Sequence, residues 1–228
     1  MYNQAIRDKI NELYPTYPLP NAAYRTFCFV DGTRQWICVP DGLNVLLQAR
    51  VYNGHDHIHC LQWQTLSFPD GMIGDVYGPL CGACHDQYMN HTSQVNARLA
   101  ACQIGQPFQG AAYKDKAYIN QTHGIAAHRA PPLGVLPPHL ALEIEMMSTQ
   151  RVGVEWEHER IFMNTSFLNC CVKQKIQLRS VADYYICGCL FANICNCIYG
   201  HNGLWWGIRP PKLGQCFVII GFACDDDA

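Results

Sequence analysis

Apolar positions in the first fourteen residues recur at helical spacing, Ile6, Ile10 and Leu13, and Pro15, Pro18 and Pro20 then stop the helix. The run Thr26–Val30 (TFCFV) is continuously apolar and reads as a buried strand, with Asp31-Gly32 as a turn after it. Residues His57–Phe68 are rich in β-formers and predict a second strand. Pro69-Asp70-Gly71 is a turn signal, and Met72–Tyr77 is the expected returning strand, closed by Gly78-Pro79. From Asp86 to about Cys102 the pattern is helical, with Tyr88, Val95 and Leu99 on one face, and Ala111–Ala117 is one more short strand. The proline-rich stretch 120–140 predicts an irregular surface loop. Beyond it come a short helix over Leu140–Met147, a helix over Arg151–Phe167 and an almost wholly apolar helix over Val181–Tyr199, with Gly200 as its C-cap. The order strand, strand, strand, helix, strand, helix, helix predicts an α/β chain: a mixed sheet flanked by helices.

Composition narrows this picture. The chain has 228 residues, 49% hydrophobic and 15% charged, which suits one sizeable packed domain. The expected division is an N-terminal helix and linker over 1–23, a main domain over 24–203, and a tail over 204–228. Net charge is −2, without the basic excess of a protein that grips nucleic acid alone. The first ten residues are polar rather than signal-like. The apolar stretches Tyr184–Tyr199 and Cys216–Cys224 are shorter than the roughly 20 residues a bilayer demands. The expected location is therefore nuclear or cytoplasmic, with no membrane partner and with the 14 cysteines reduced.

Three acids sit in unusual places. Asp31 ends a buried strand, Asp115 lies inside YKDKAY, and Glu155 lies on a helix between Val154 and Trp156. Carboxylates beside apolar neighbours need a partner, and a divalent cation is one. Each also has an ordinary reading: Asp31-Gly32 as a turn dipeptide, Asp115 as a surface charge between Lys114 and Lys116, Glu155 as the partner of Arg151 one helical turn away.

A series of short motifs adds to these acids. FVDGT (29–33), YNGHDHIHCLQWQ (52–64), PDGMIGDVYGPLCGACHD (69–86), KDKAY (114–118), RVGVEWEHERI (151–161) and VADYYICGCLFANICNCIYGHNG (181–203) follow one another along the chain. In content and order they resemble the DDE endonucleases of the PIF/Harbinger transposase superfamily, in its fungal branch, over roughly residues 24–212. The resemblance implies an RNase H-like fold and a two-metal Mg²⁺ or Mn²⁺ site that cleaves DNA phosphodiesters. It places the catalytic, metal-holding acids at Asp31, Asp115 and Glu155. Asp86 is the rival for the second position and otherwise caps the following helix. DNA is the implied partner, engaged through a separate DNA-binding domain or protein, and a homodimer is allowed. The chain departs from the pattern at Asp56-His57 and Ala83-Cys84, where the family has Lys-Arg and Arg-Arg, and at Lys114, His158 and Glu159. These departures raise the alternative of a domesticated interaction module without turnover.

Two other chemistries compete. Cys81-x-x-Cys84-His85 has the spacing of half a zinc site, with Cys187/Cys189 or Cys195/Cys197 as a poorly directed second half. Ten histidines allow cysteine–histidine catalysis in principle, and His55, His57 and His59 alternate as on one face of a strand.

Overall fold

The computed structural model describes all residues except 119, 121, 132, 133, 201–204 and 216–228. The helices are α1 (Tyr2–Leu13), α2 (Val45–Val51), α3 (Asp86–Ser93), α4 (Val95–Cys102), α5 (Pro138–Asn164) and α6 (Val181–Tyr199). The strands are β1 (Thr26–Trp36), β2 (Tyr52–Asn53), β3 (Ile58–Ser67), β4 (Ile73–Cys81), β5 (Ala111–Lys114) and β6 (Gly124–Ala126).

One mixed sheet organises the chain. Its order is β4-β3-β1-β5-β6, with the short β2 pairing the start of β3. Pairing is antiparallel from β4 through β3 to β1, and parallel from β1 through β5 to β6. The chain is thus mixed α/β, a curled sheet flanked by helices, and compatible with an RNase H-like fold.

Side-chain alternation divides β1 between two cores. Phe29 faces α1, α5 and the residues after 204, in a cluster with Ile6, Ile10, Met146, Met147, Val154, Trp206 and Ile208. Cys28 and Val30 face the other way, against Val95 and Leu99 of α4. A third cluster stacks Trp63 on Tyr185 of α6, ring centroids 4.6 Å apart.

Several expectations change. Asp31-Gly32 is not a turn: β1 runs on to Trp36, with Asp31 opposite Thr65 and Gly32 opposite Gln64. The helix expected over 86–102 is two helices, broken at Gln94, which has φ 51°. The two helices expected over 140–167 are one 27-residue helix. His55 and His57 precede β3, and only His59 of the three lies on the strand. Asp86 is the first residue of α3, whose N-cap is His85, so it is not the cap. The short strands β2 and β6 and helix α2 had no counterpart in the sequence reading.

Helix α6 is not buried all round. Tyr185, Cys189 and Ala192 are buried, while Ile186, Leu190, Phe191 and Ile198 are exposed. Against the length argument above, its 19 residues and mean hydropathy of 1.4 suffice to cross a membrane, and 33% of that window is buried. What ties α6 to the domain is polar as well as apolar. The Asn193 amide donates to the Ile73 carbonyl at 2.9 Å and accepts from the Ile73 N–H at 2.8 Å. The Asn196 amide donates to the Asp70 carbonyl at 2.8 Å. The expectation about Cys216–Cys224, and the end of the last motif at 201–203, lie outside the described residues.

The described part of the expected tail belongs to the core. Trp206 stacks on Phe29 at 5.8 Å and donates its indole N–H to Gln150 at 3.0 Å. Gly153 leaves room for that ring, since a Cβ there would lie 2.2 Å from Trp206 Cη2. Trp206→Ala is expected to cost about 3–5 kcal/mol of stability in urea unfolding, and Gly153→Ala about 1–3 kcal/mol by overpacking. The double variant should lose less than the sum of the two, because the clash disappears with the ring.

Candidate active site

The odd-numbered residues of β1 point toward α5. Phe29 is in the core, Asp31 lies next along that face, and the register partner of Asp31, Thr65, hydrogen-bonds His158 of α5 at 2.6 Å. Residues four apart on a helix share a face. Arg151 and Glu155 of α5 are such a pair, and both reach the position that Asp31 occupies.

Arg151 joins the two acids. Its Nη1 lies 2.5 Å from Asp31 Oδ2 and its Nη2 lies 2.8 Å from Glu155 Oε1. Asp31 and Arg151 are mostly buried, with side chains 15% and 19% exposed, whereas Glu155 is 54% exposed. Burial pushes the Asp31 carboxyl up to about 6; Arg151 and the Gly32 N–H pull it down, while Asp115 and Glu155 push it further up. Burial disfavours the charged form of Arg151, but Asp31, Glu155 and Asp115 outweigh it and raise the guanidinium above its ordinary value.

Asp115 follows β5 directly, at the end parallel to β1, where Lys114 is the register partner of Val30. A turn fixes it there, the Tyr118 N–H donating to the Asp115 carbonyl at 3.0 Å. Three sequence-distant elements thus bring Asp31, Glu155 and the field of Asp115 to one place, around Arg151. Asp86 lies elsewhere. Its Oδ1 is 3.4 Å from the point where a Gly32 Cβ would stand, so it flanks the face of β1 opposite to Asp31. The charges that act on Asp86 are Arg34, Asp115 and His85, and burial raises its carboxyl above the usual range. Asp115 at the strand end addresses both groups.

The donor set around Arg151 is hard oxygen, the chemistry that Mg²⁺ and Mn²⁺ prefer. Two of the acids already share a cation, supplied by the protein itself. Among the described residues no group of three or more His, Cys, Asp or Glu side chains is placed to hold a metal ion, for a zinc module or for the acids. In this conformation the Arg151 guanidinium is the positive partner of both carboxylates.

The surroundings hold polar groups that sequence reasoning missed. Lys114, beside Asp115, is fully buried. Its ammonium donates to Asn90 at 2.5 Å and to Asn96 at 2.7 Å and lies 5.6 Å from the Tyr118 ring centroid. Burial lowers its pKa to about 8. Glu157 and His158, one and two residues beyond Trp156, are also buried; burial raises the Glu157 carboxyl to about 8 and lowers the His158 imidazole to about 4. The period of α5 puts them under the helix while Glu155 stays outside. Comparison with protein-family models, curated proteins and solved structures finds no match to this chain.

Two pH-dependent outcomes follow from these shifts. Glu157 is protonated when folded up to about 8 but ionised when unfolded above about 4.5, so its contribution to stability falls as pH rises between them. Glu157→Gln removes that slope, at most about 1.4 kcal/mol per pH unit. The wild-type-minus-variant difference in urea unfolding should fall from pH 5 to pH 8; a flat difference would show that Glu157 is ionised in the fold. Arg151→Gln leaves Asp31 without its counter-charge, and its carboxyl should titrate above about 6 in carboxyl-resolved NMR. The variant should lose more stability at pH 8 than at pH 4. The cost should lie between about 1 kcal/mol for an exposed pair and about 3–5 kcal/mol for a buried one.

Proposed function

We propose that this chain is the nuclease core of a DDE-type, transposase-like endonuclease that cleaves DNA phosphodiesters with Mg²⁺ or Mn²⁺. The observation that carries the reading is the shared cation. Asp31 on β1 and Glu155 on α5 converge on one guanidinium, beside Asp115 at the end of the parallel neighbour strand. Isolated surface acids need no such meeting. The ordered motifs around these residues point to the PIF/Harbinger superfamily. An intracellular, nuclear or cytoplasmic setting goes with the same reading.

Asp31, Glu155 and Asp115 are the residues that would hold the metal. When bound there, Mg²⁺ or Mn²⁺ supplies Lewis acidity toward the attacking and leaving oxygens of a phosphodiester. Arg151 has to leave its carboxylates for the ligand set to open. Its planar fork, once freed, matches two oxygens of a phosphate. Glu155 is half exposed and yields with little cost, whereas Asp31 is the anchored ligand.

A second reading draws on the same contact. If Arg151 permanently takes the place of the metal, the chain keeps the fold as an interaction module without turnover. Manganese titration followed by electron paramagnetic resonance separates the two. Binding by the wild type, reduced in Asp31→Asn, Asp115→Asn and Glu155→Gln, supports the nuclease; no binding supports the module. In a plasmid-nicking assay with the chain fused to a DNA-targeting domain, each of the three variants should lose activity. Loss of an outer partner of a metal ligand costs about 10–100-fold, so loss of a ligand itself should cost more than roughly 100-fold. Equal nicking by Asp31→Asn would assign the activity to another site.

A further inference from the structure

A cleft of about 570 Å³ opens on the side of β1 opposite to Arg151. Its ionisable lining is Arg34, His55, His85, Asp86 and Asp115, so it meets the candidate active site at Asp115. The volume falls within the range of ordinary ligand pockets. Its floor is built rather than incidental. The Gly82 carbonyl accepts from Asn53 Nδ2 at 3.1 Å and from Gln62 Nε2 at 2.9 Å, which clamps the turns after β2 and β4 together. A Cβ on Gly82 would stand 2.2 Å from the Val51 carbonyl oxygen, so the two segments are in backbone contact.

Two hydrogen-bond donors of this cleft, Arg34 and His55, are already engaged. Asp56 places Oδ2 2.7 Å from Arg34 Nη1 and Oδ1 2.8 Å from His55 Nδ1. One carboxylate therefore occupies both groups with its two oxygens, the geometry with which a phosphate would meet them. The Asp56 turn is preset: Asn53 Oδ1 accepts from the backbone N–H groups of His55 and Asp56, both at 3.0 Å. The Asp56 side chain is 27% exposed, so solvent and ligand can reach the pair.

We propose that this cleft seats a backbone phosphate of the DNA strand next to the cutting site, on Arg34 and His55, and that Asp56 competes with the phosphate for the same two donors. Asp56 is thereby a built-in brake on DNA binding. The inference rests on the proposed DNA-cleaving reading, and it accounts for weak basicity at a surface meant for a polyanion: the local cation Arg34 is neutralised from within.

The test is binding of a fluorescently labelled duplex oligonucleotide by the full chain, followed by anisotropy between about 50 and 200 mM salt. Asp56→Asn keeps the shape of the turn and removes the charge. It should bind more tightly than the wild type, and its plot of log affinity against log salt should steepen by about 0.9, the mark of one added phosphate contact. Adding Arg34→Gln should cancel the gain, and thermal melting of each variant reports that the fold is kept. Unchanged or weaker binding by Asp56→Asn, with wild-type binding measurable, overturns the brake and leaves the nuclease reading intact. A gain that survives Arg34→Gln also overturns it, since the effect would then be general charge. Absence of binding by both proteins overturns it too, and manganese-dependent nicking then decides separately whether the nuclease reading stands.

Discussion

A carboxylate taken out of water has to find a positive partner or give up its charge, and Asp31 stands at that limit. Its strand is covered on one face by α1, α5 and Trp206 and on the other by α4. Burial, with smaller pushes from Asp115 and Glu155, raises its carboxyl to about 6 even with Arg151 alongside. The Arg151 guanidinium keeps the acid usable, and it can do so only while α5 crosses β1 at a fixed height. Gly153 and Trp206 set that height, because the indole packs over the glycine, stacks on Phe29 and hydrogen-bonds Gln150. The site and the core are therefore one construction: the apolar contact two residues from Arg151 aims the arginine at Asp31.

Legibility in the sequence follows the range of the interactions. The apolar half of β1, the strand β3, the hairpin turn to β4 and the helix α6 carry local signals and were readable at their correct places, although β4 does not close at Gly78-Pro79 but runs on to Cys81, paired with β3. Asp31-Gly32 looked like a turn because that dipeptide favours turns. The strand continues because β3 offers it partners from Thr65 down to Cys60, an arrangement that no window around Asp31 contains. Helix α5 looked like two, Leu140–Met147 and Arg151–Phe167, yet neither proline nor a left-handed residue interrupts it; Met146, Met147 and Val154 share one cluster across the expected break, and the helix enters another only at Ile161. The three acids were nameable from motif order. Arg151 was legible only toward Glu155, four residues away; its bond to Asp31 spans 120 positions. The burial of Lys114 was out of reach for the same reason, since Asn90 and Asn96 that enclose it come from α3 and α4.

Helix α6 shows how composition can mislead in the other direction. Its apolar surface exceeds what the domain covers, and a pattern apolar on every side reads equally as core helix and as membrane span. Two asparagines decide its place within the domain, by bonding to the backbone at Ile73 and Asp70. Such bonds are worth far more in a dry interface than on a surface.

The charge balance of the chain is better read pair by pair than as a sum. A net charge of −2 suggests a surface indifferent to anions. Around the site, however, the cations are present and spoken for: Arg151 by Asp31 and Glu155, Arg34 by Asp56, and Arg98 by Asp75 at 2.6 Å. On the proposed reading, a phosphate that takes Arg151 or Arg34 gains by exchange, releasing a carboxylate for each arginine. On the same reading, a divalent cation would gain by the complementary exchange, releasing the arginine as it takes the carboxylates. The two exchanges favour each other, since the metal leaves Arg151 without a partner and the phosphate leaves Asp31 and Glu155 without theirs. Metal and phosphate should therefore bind this face better together than either does alone, which is the coupling that metal-dependent phosphodiester chemistry requires.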